Sequence, residues 1–174
     1  MEFTFETLYR HRELKAMSRT LRKTLRKEKC HKINFACIIL SICCILLPFV
    51  PKDGGFRFDL MTIISFGFAA ALIIIFICHD DLNALLAQKY AIPGTDRCVT
   101  VFSEDGYIST TEVEKKNWTY DIHVLTVETD DYFIFHFDDT SANLYDKRHM
   151  SGGTAEEFRM FIRRKTGKGV VYVK

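Results

Sequence analysis

The residues best suited to metal chemistry form two Cys-His pairs at the ends of the apolar part of the chain. Cys30-His31 precedes the first long apolar segment, and Cys78-His79 closes the second. In an antiparallel hairpin both pairs would come to the same end, and two thiolates with two imidazoles suit Zn²⁺. Adjacent side chains on a helix point apart, however, which opposes tetrahedral coordination. We therefore favour reduced thiols that pack between helices, with no bound metal or other cofactor.

Catalytic signatures are missing from the sequence. The nucleophile elbow G-x-S-x-G, the P-loop, the zinc-protease motif H-E-x-x-H and the dinucleotide fingerprint G-x-G-x-x-G do not occur. The six histidines are scattered, and His136 is expected to be a half-exposed strand residue. We therefore expect no catalytic residues and a protein that is not an enzyme.

Basic residues near the N-terminus offer a second kind of chemistry, which is anion binding. Residues 1–32 carry 10 basic and 4 acidic residues, whereas the remaining 142 carry 14 and 18. Phe3 and Phe5 alternate with polar residues, which predicts a short N-terminal strand. Leucine and methionine then recur at helical spacing among the basic residues, which predicts a basic amphipathic helix from about Thr7 to Lys29. Candidate contacts for anionic lipid headgroups are Arg19, Arg22, Lys23, Arg26 and Lys27.

Two alternatives to lipid binding apply to this basic helix. In the first alternative, the cations only set the orientation of the chain in the membrane, and the basic face of the helix is solvated. Nucleic-acid binding is not expected, because no base-reading fold or interleaved aromatic residues accompany the charges. A second basic pair, Lys147-Arg148, follows the last predicted strand and is either a solvated turn or a further headgroup contact.

Two long apolar segments must position these residues. Residues 33–50 and 60–78 contain 18 and 19 residues without a charged side chain. At 1.5 Å per residue each helix is about 27–29 Å long, close to the ~30 Å hydrocarbon core of a bilayer. Two buried core helices of a soluble protein are the alternative, but a small domain seldom encloses two helices that are apolar all round. Two transmembrane helices joined by an outer loop, residues 51–59, are therefore predicted.

The distribution of Lys and Arg predicts the orientation of this hairpin. Eight of them lie in the 20 residues before the first span, two in the connecting loop and two in the 20 residues after the second span. Positively charged flanks stay in the cytoplasm, so we expect a multi-pass protein of the cell membrane with both termini cytoplasmic.

Small residues at helical spacing predict how the two spans pack against each other. Cys37, Ser41 and Cys44 form a stripe in the first span, and Gly67 and Ala71 form a small-x-x-x-small pair in the second. Such stripes let two helix backbones approach closely, within one chain or between copies. We therefore expect them at the interface of the hairpin, and self-association is possible through the same surfaces.

A β-rich cytoplasmic domain is predicted over residues 97–174, after a helical linker over residues 79–96. Six short segments alternate in polarity, which indicates an antiparallel sheet packed on one face, and the Phe3/Phe5 strand is a possible addition to it. Thr154 and Glu157 fit a capping box that begins a closing helix. Phe158, Phe161 and Ile162 share one face of that helix and should dock on the sheet.

Two spans followed by this β-rich region resemble the YcxB-like family of bacterial membrane proteins. The residues that carry the resemblance are Tyr120-Asp121-Ile122, Glu128 to Phe135, Lys147-Arg148 and Glu156-Glu157-Phe158. The resemblance implies a bacterial inner membrane and a pleckstrin-homology-like β-fold with a closing helix, and it implies no settled activity. Where the family often has proline before the Lys-Arg pair, this chain has Asp146, so the local turn should differ.

The predicted fold class is a membrane α+β protein, a two-helix hairpin with a small cytoplasmic sheet domain. Such an arrangement indicates a non-enzymatic adaptor that presents its domain to a protein or lipid partner. The alternative is an accessory or regulatory subunit of a membrane transport or envelope system. Transport by this chain alone is not expected, because neither span contains an Asp, Glu, Lys, Arg or His side chain for a pathway.

Overall fold

Five α-helices and nine short strands make up the part of the chain that the computed structural model describes, residues 2–49 and 59–174. The helices are α1 (His11–Lys23), α2 (Lys27–Leu46), α3 (Leu60–Ile77), α4 (His79–Lys89) and α5 (Ala155–Thr166). The strands are β1 (Phe3–Leu8), β2 (Arg97–Phe102), β3 (Tyr107–Thr110), β4 (Lys115–Trp118), β5 (Leu125–Glu128), β6 (Tyr132–His136), β7 (Ala142–Asp146), β8 (Met150–Ser151) and β9 (Val170–Tyr172).

Helices α2 and α3 contain the two apolar segments and pack against each other as a hairpin. With a 3₁₀ turn that extends the first to Phe49, both are long and apolar enough to cross a membrane. Only 11% of each apolar window is buried, whereas a core helix of a soluble protein is mostly buried. Asp59 caps the start of α3 by accepting from the Thr62 N–H at 2.9 Å. The rest of the predicted outer loop lies outside the described residues.

The small residues predicted to pack the hairpin differ in burial between the two helices. Ser41 and Cys44 are buried and Cys37 is half-buried. On α3, however, Ala69 is buried, while Gly67 and Ala71 are exposed and a methyl group added to Gly67 would meet nothing within 4 Å. Successive residues turn by about 100°, so positions two away from Ala69 face roughly 200° from it.

The predicted continuous basic helix is two helices with a break between them. Strand pairing extends through Leu8, so α1 begins at His11 and ends at Lys23. At the break, the Thr24 N–H and hydroxyl both donate to the Thr20 carbonyl, at 3.0 and 2.7 Å. The sequence offers no proline or glycine there, which is why helical periodicity alone missed the change. As a result α1 packs on the domain while α2 enters the hairpin.

The strands form two sheets rather than one six-stranded meander. A five-stranded sheet has the order β4-β3-β2-β1-β8, and a four-stranded sheet has the order β7-β6-β5-β9. Strand β1 pairs antiparallel with β2, with Phe3 opposite Phe102 and Leu8 opposite Arg97. Strand β9, which the sequence did not reveal, runs parallel to β5. Because β1 precedes the hairpin and β2 follows it, the domain is built from both sides of the hairpin.

An aromatic core lies between the sheets and α5. Phe5 contacts Phe158 with ring centroids 4.7 Å apart, and Phe102 contacts Phe158 at 4.9 Å, both edge to face. Complete burial of such a ring contributes roughly 1.5–3 kcal/mol, and edge-to-face pairing adds about 0.5–1.5 kcal/mol. The predicted capping box of α5 is confirmed, since Glu157 N–H donates to Thr154 Oγ1 and Thr154 N–H donates to Glu157 Oε2. Phe158, Phe161 and Ile162 are buried as expected.

A second core lies on the other side of the smaller sheet, beneath α1. Ala16 and Met17 of α1 pack against a cluster that includes Ile134 and Leu144. Every residue of β6 is therefore buried, so the prediction of one solvated sheet face is wrong. His136 is 0% exposed rather than half-exposed, with Nε2 3.4 Å from Thr20 Oγ1.

Candidate functional site

Helix α1 connects the domain to the end of the hairpin through a set of ion pairs with α4. Arg22 holds Asp80 with two hydrogen bonds, Nε to Oδ1 at 2.9 Å and Nη2 to Oδ2 at 2.6 Å. Lys15 pairs with Asp81 at 2.7 Å. Asn83 Nδ2 donates to the Ser18 hydroxyl at 3.2 Å. We call these six residues the α1–α4 junction.

The junction is a partly buried electrostatic contact rather than a solvated pair. The side chain of Asp80 is 12% exposed and that of Arg22 is 34% exposed. Burial raises the pKa of Asp80, but the hydrogen bonds and charge of Arg22 outweigh it, so the net pKa lies below its usual value. Asp80 and Asp81 also stand in the first turn of α4, where the helix dipole stabilises negative charge. The ion pair and the helix dipole therefore both favour the ionised form of Asp80.

The other side of α1 contacts the sheet through a buried carboxylate. Tyr132 Oη donates to Glu13 Oε1 at 3.0 Å, and Arg148 Nη2 lies 3.8 Å from the same oxygen. Burial, followed by the hydrogen bond to Glu13, raises the pKa of Tyr132 to about 12. Glu13 is buried although it lies in the basic helix, so its role was not visible in the hydrophobic pattern.

The predicted headgroup residues Lys147 and Arg148 are engaged inside the domain. Lys147 Nζ donates to Glu128 Oε1 and to the Thr129 carbonyl, both at 2.6 Å, and its side chain is 14% exposed. Arg148 Nε and Nη2 hold Asp146 at 2.9 and 2.5 Å. Asp146, which stands where the resembled family often has proline, is thus an ion-pair partner. Lys147 and Arg148 remain predicted lipid contacts, but acidic neighbours already balance them.

Glu128 organises a second charged cluster that sequence reasoning missed. It is buried on β5 and accepts from Arg159 of α5, Nε to Oε2 at 2.5 Å and Nη2 to Oε1 at 2.8 Å, as well as from Lys147. Burial raises the pKa of Glu128, but these hydrogen bonds outweigh it and the net pKa is lowered. The signal for a buried ion pair that the sequence did contain was a glutamate at the end of an apolar strand.

The cations at the end of α1 and the start of α2 surround an open cleft of about 620 Å³. Of the predicted lipid contacts, Arg22, Lys23 and Lys27 line it, and Lys32, which the prediction left out, lines it too. Glu28, Cys30, His31 and Asn34 complete its wall. We call it the corner cleft.

The two remaining predicted contacts do not line the corner cleft. Arg19 is exposed on α1, and Arg26 is half-buried at the break, with its Nε shielded from solvent and without a hydrogen-bond partner among the described residues.

The paired Cys and His residues do not assemble into a metal site in the described ranges. Cys30 and Cys78 are half-buried free thiols, and no group of three or more His, Cys, Asp or Glu side chains is placed to hold an ion within residues 2–49 and 59–174. The arrangement offers anion recognition and electrostatic docking, and no nucleophile–base pair was identified in the sequence.

Fold and site together define a class. It is an α+β domain of two sheets, and the chain of that domain is interrupted by two helices that are long and apolar enough to cross a membrane. Comparison of the chain with family models, with curated proteins and with solved structures found no match in any of the three. The YcxB-like resemblance therefore stays a prediction from the residues quoted for it.

Proposed function

We propose that the chain is a non-enzymatic, membrane-anchored interaction protein that holds a pleckstrin-homology-like domain against the cytoplasmic face of a cell membrane. The domain serves as the recognition surface for a protein or lipid partner, and the hairpin fixes it at the bilayer. The two sheets, the aromatic core and the closing helix α5 support this kind of domain.

The pairing of β1 with β2 is the observation that carries the proposal. These strands lie on either side of the hairpin in the sequence, yet they are neighbours in one sheet. Both ends of the hairpin must therefore be on the same side of a membrane that it crosses. Two crossings satisfy this requirement, and the Lys/Arg bias of the N-terminal flank favours the cytoplasm as that side.

An accessory subunit of a membrane transport or envelope system is the second candidate, and the exposed face of α4 favours it. Leu82, Leu85 and Leu86 are each at least 39% exposed, and Tyr90 just beyond the helix is 77% exposed. Exposed apolar side chains in a contiguous patch mark contact sites for proteins or membranes. Because α4 follows α3 directly, a partner that covers this face would itself lie at the membrane.

Topology labelling and crosslinking of the full chain test the proposal. Single cysteines, Lys115→Cys on β4 and Lys52→Cys in the predicted outer loop, are introduced after the native cysteines are replaced by serine or alanine. We expect a membrane-impermeant maleimide to label Lys52→Cys in intact cells and Lys115→Cys only in inverted vesicles. Labelling of both from one side would contradict the hairpin.

Crosslinking in native membranes, followed by mass spectrometry of the co-purified proteins, then separates the two candidates. One recurrent integral membrane partner whose crosslinks map to α4 supports the subunit role. Crosslinks from the sheet domain to a soluble partner support the adaptor role. A purified chain that turns over a substrate would refute both.

A further inference from the structure

We infer that the corner cleft binds the phosphate headgroup of an anionic phospholipid. This inference rests on the proposed membrane placement of the hairpin, and it names the ligand class and the residues that hold it. The cleft lies where the basic helix α1 meets α2, directly before the apolar segment that begins at Ile33.

Two of the cleft's cations are available for a ligand. Within the described residues, the side-chain ammonium groups of Lys27 and Lys32 have no hydrogen-bond or ion-pair partner, whereas Arg22 is balanced by Asp80. Lys23 donates to the main-chain oxygen of Lys174, so it is already engaged and is not counted as available. Lys27 and Lys32 face a single carboxylate in the lining, Glu28, so the cleft keeps a net positive charge. A phosphodiester carries the single negative charge that such a cleft attracts.

The position of the cleft relative to the bilayer favours a lipid over a soluble anion. The hydrocarbon core of a bilayer is ~30 Å thick and the headgroup layers bring the total to about 40–45 Å, which leaves roughly 5–8 Å on each side. With Ile33 at the hydrocarbon boundary, a rise of 1.5 Å per residue places the Lys32 backbone about 1.5 Å and the Lys27 backbone about 9 Å outside it. The cleft therefore spans the layer that contains the phosphates.

Retention of lipid by the full chain in mild detergent tests the inference, with native mass spectrometry as the readout. The probes are phosphatidylglycerol and phosphatidylcholine, and the variants are Lys27→Gln and Lys32→Gln. Lys29→Gln is the matched control, because Lys29 is exposed on the same helix and does not line the cleft.

We expect the wild-type chain to retain phosphatidylglycerol in preference to phosphatidylcholine. Lys27→Gln and Lys32→Gln should each weaken this retention about fivefold, the ratio that corresponds to about 1 kcal/mol per basic residue, while Lys29→Gln retains the wild-type level. Equal losses of lipid retention in all three variants would show that diffuse surface charge, and not a defined site, attracts the lipid. That result would overturn the inference. Release of the lipid by millimolar inorganic phosphate would assign the cleft to a soluble anion and also overturn it.

The topology labelling described above separates this outcome from failure of the proposed function. If the hairpin crosses the membrane but the lipids are not distinguished, the cleft assignment alone is wrong. If the labelling shows no crossing, the membrane anchor itself is wrong. Matching thermal unfolding curves for the three variants exclude misfolding as the cause of any loss.

Discussion

The α1–α4 junction makes a quantitative prediction about how the domain is held to the hairpin. In Asp80→Asn the side chain keeps its size but loses the charge that faces Arg22. Hydrogen bonds to charged groups contribute about 1.5–3 kcal/mol, and fully exposed ion pairs contribute about 0–1 kcal/mol. The pair has two short hydrogen bonds and a carboxylate that is 12% exposed, so its contribution falls in the range for hydrogen bonds to charged groups. We expect the substitution to weaken docking of α1 by about 2 kcal/mol.

Amide hydrogen exchange of the full chain in detergent measures this loss. A weakening of about 2 kcal/mol raises the open population of a local equilibrium roughly 30-fold, and exchange follows that population when closing is fast. Amides in the second half of α1 and in α4 should exchange faster by about that factor. The control is Glu114→Gln, which removes an exposed ion pair with Lys116 on β4 and should leave these amides unchanged.

Charge reversal shows whether the pair itself is responsible. Arg22→Asp alone places two carboxylates together and should open the junction further, whereas Arg22→Asp with Asp80→Arg should restore part of the protection. Exchange within threefold of wild type in Asp80→Asn would refute the reasoning. In that case the packing of Met17 and Thr20 on the sheet would hold α1 without help from α4.

Three further predictions concern the buried groups of the domain and the hairpin. Glu128→Gln leaves the Lys147 and Arg159 charges without their partner, so thermal unfolding in detergent should show a loss of about 3–5 kcal/mol. Burial lowers the pKa of His136 from 6.5 to about 4. On acidification, His136 therefore takes up its proton at a higher pH in the unfolded chain than in the folded chain. The free energy of unfolding should then fall by about 2 kcal/mol from this group between pH 7 and pH 5, and His136→Leu should remove that part of the pH profile. Ala69→Leu should cost about 1–3 kcal/mol by overpacking the hairpin, whereas Gly67→Leu, on the exposed face, should be tolerated.

Local patterns in the sequence were sufficient for the elements that depend on short-range chemistry. The capping box at Thr154 and the apolar face of α5 were both predicted, because they involve residues within one or two turns of helix. The two apolar segments were visible from composition alone. In the site, the cations of the corner cleft were partly identified from their clustering before the first span.

Contacts across long sequence separations were not predictable from periodicity. Phe3 and Phe102 are partners in the sheet although they lie 99 positions apart in the sequence, and no local pattern states which strand a given strand will join. For the same reason β6 was expected to have a solvated face, since nothing near it in the sequence shows that α1 covers it. The ion pairs of Glu128 and Asp80 depend on the same distant contacts.

Insertion of the hairpin within the domain constrains how the chain reaches its fold. Strand β1 is made before either apolar helix, but its partners β2 and β8 come after both. The five-stranded sheet is therefore incomplete until residues beyond α4 return to β1. If only one of the two helices crossed the membrane, β1 and β2 would lie on opposite sides and Phe3 and Phe5 would lack the partners that bury them. The energy of the aromatic core thus favours an even number of crossings independently of the positive charges, and the two signals agree.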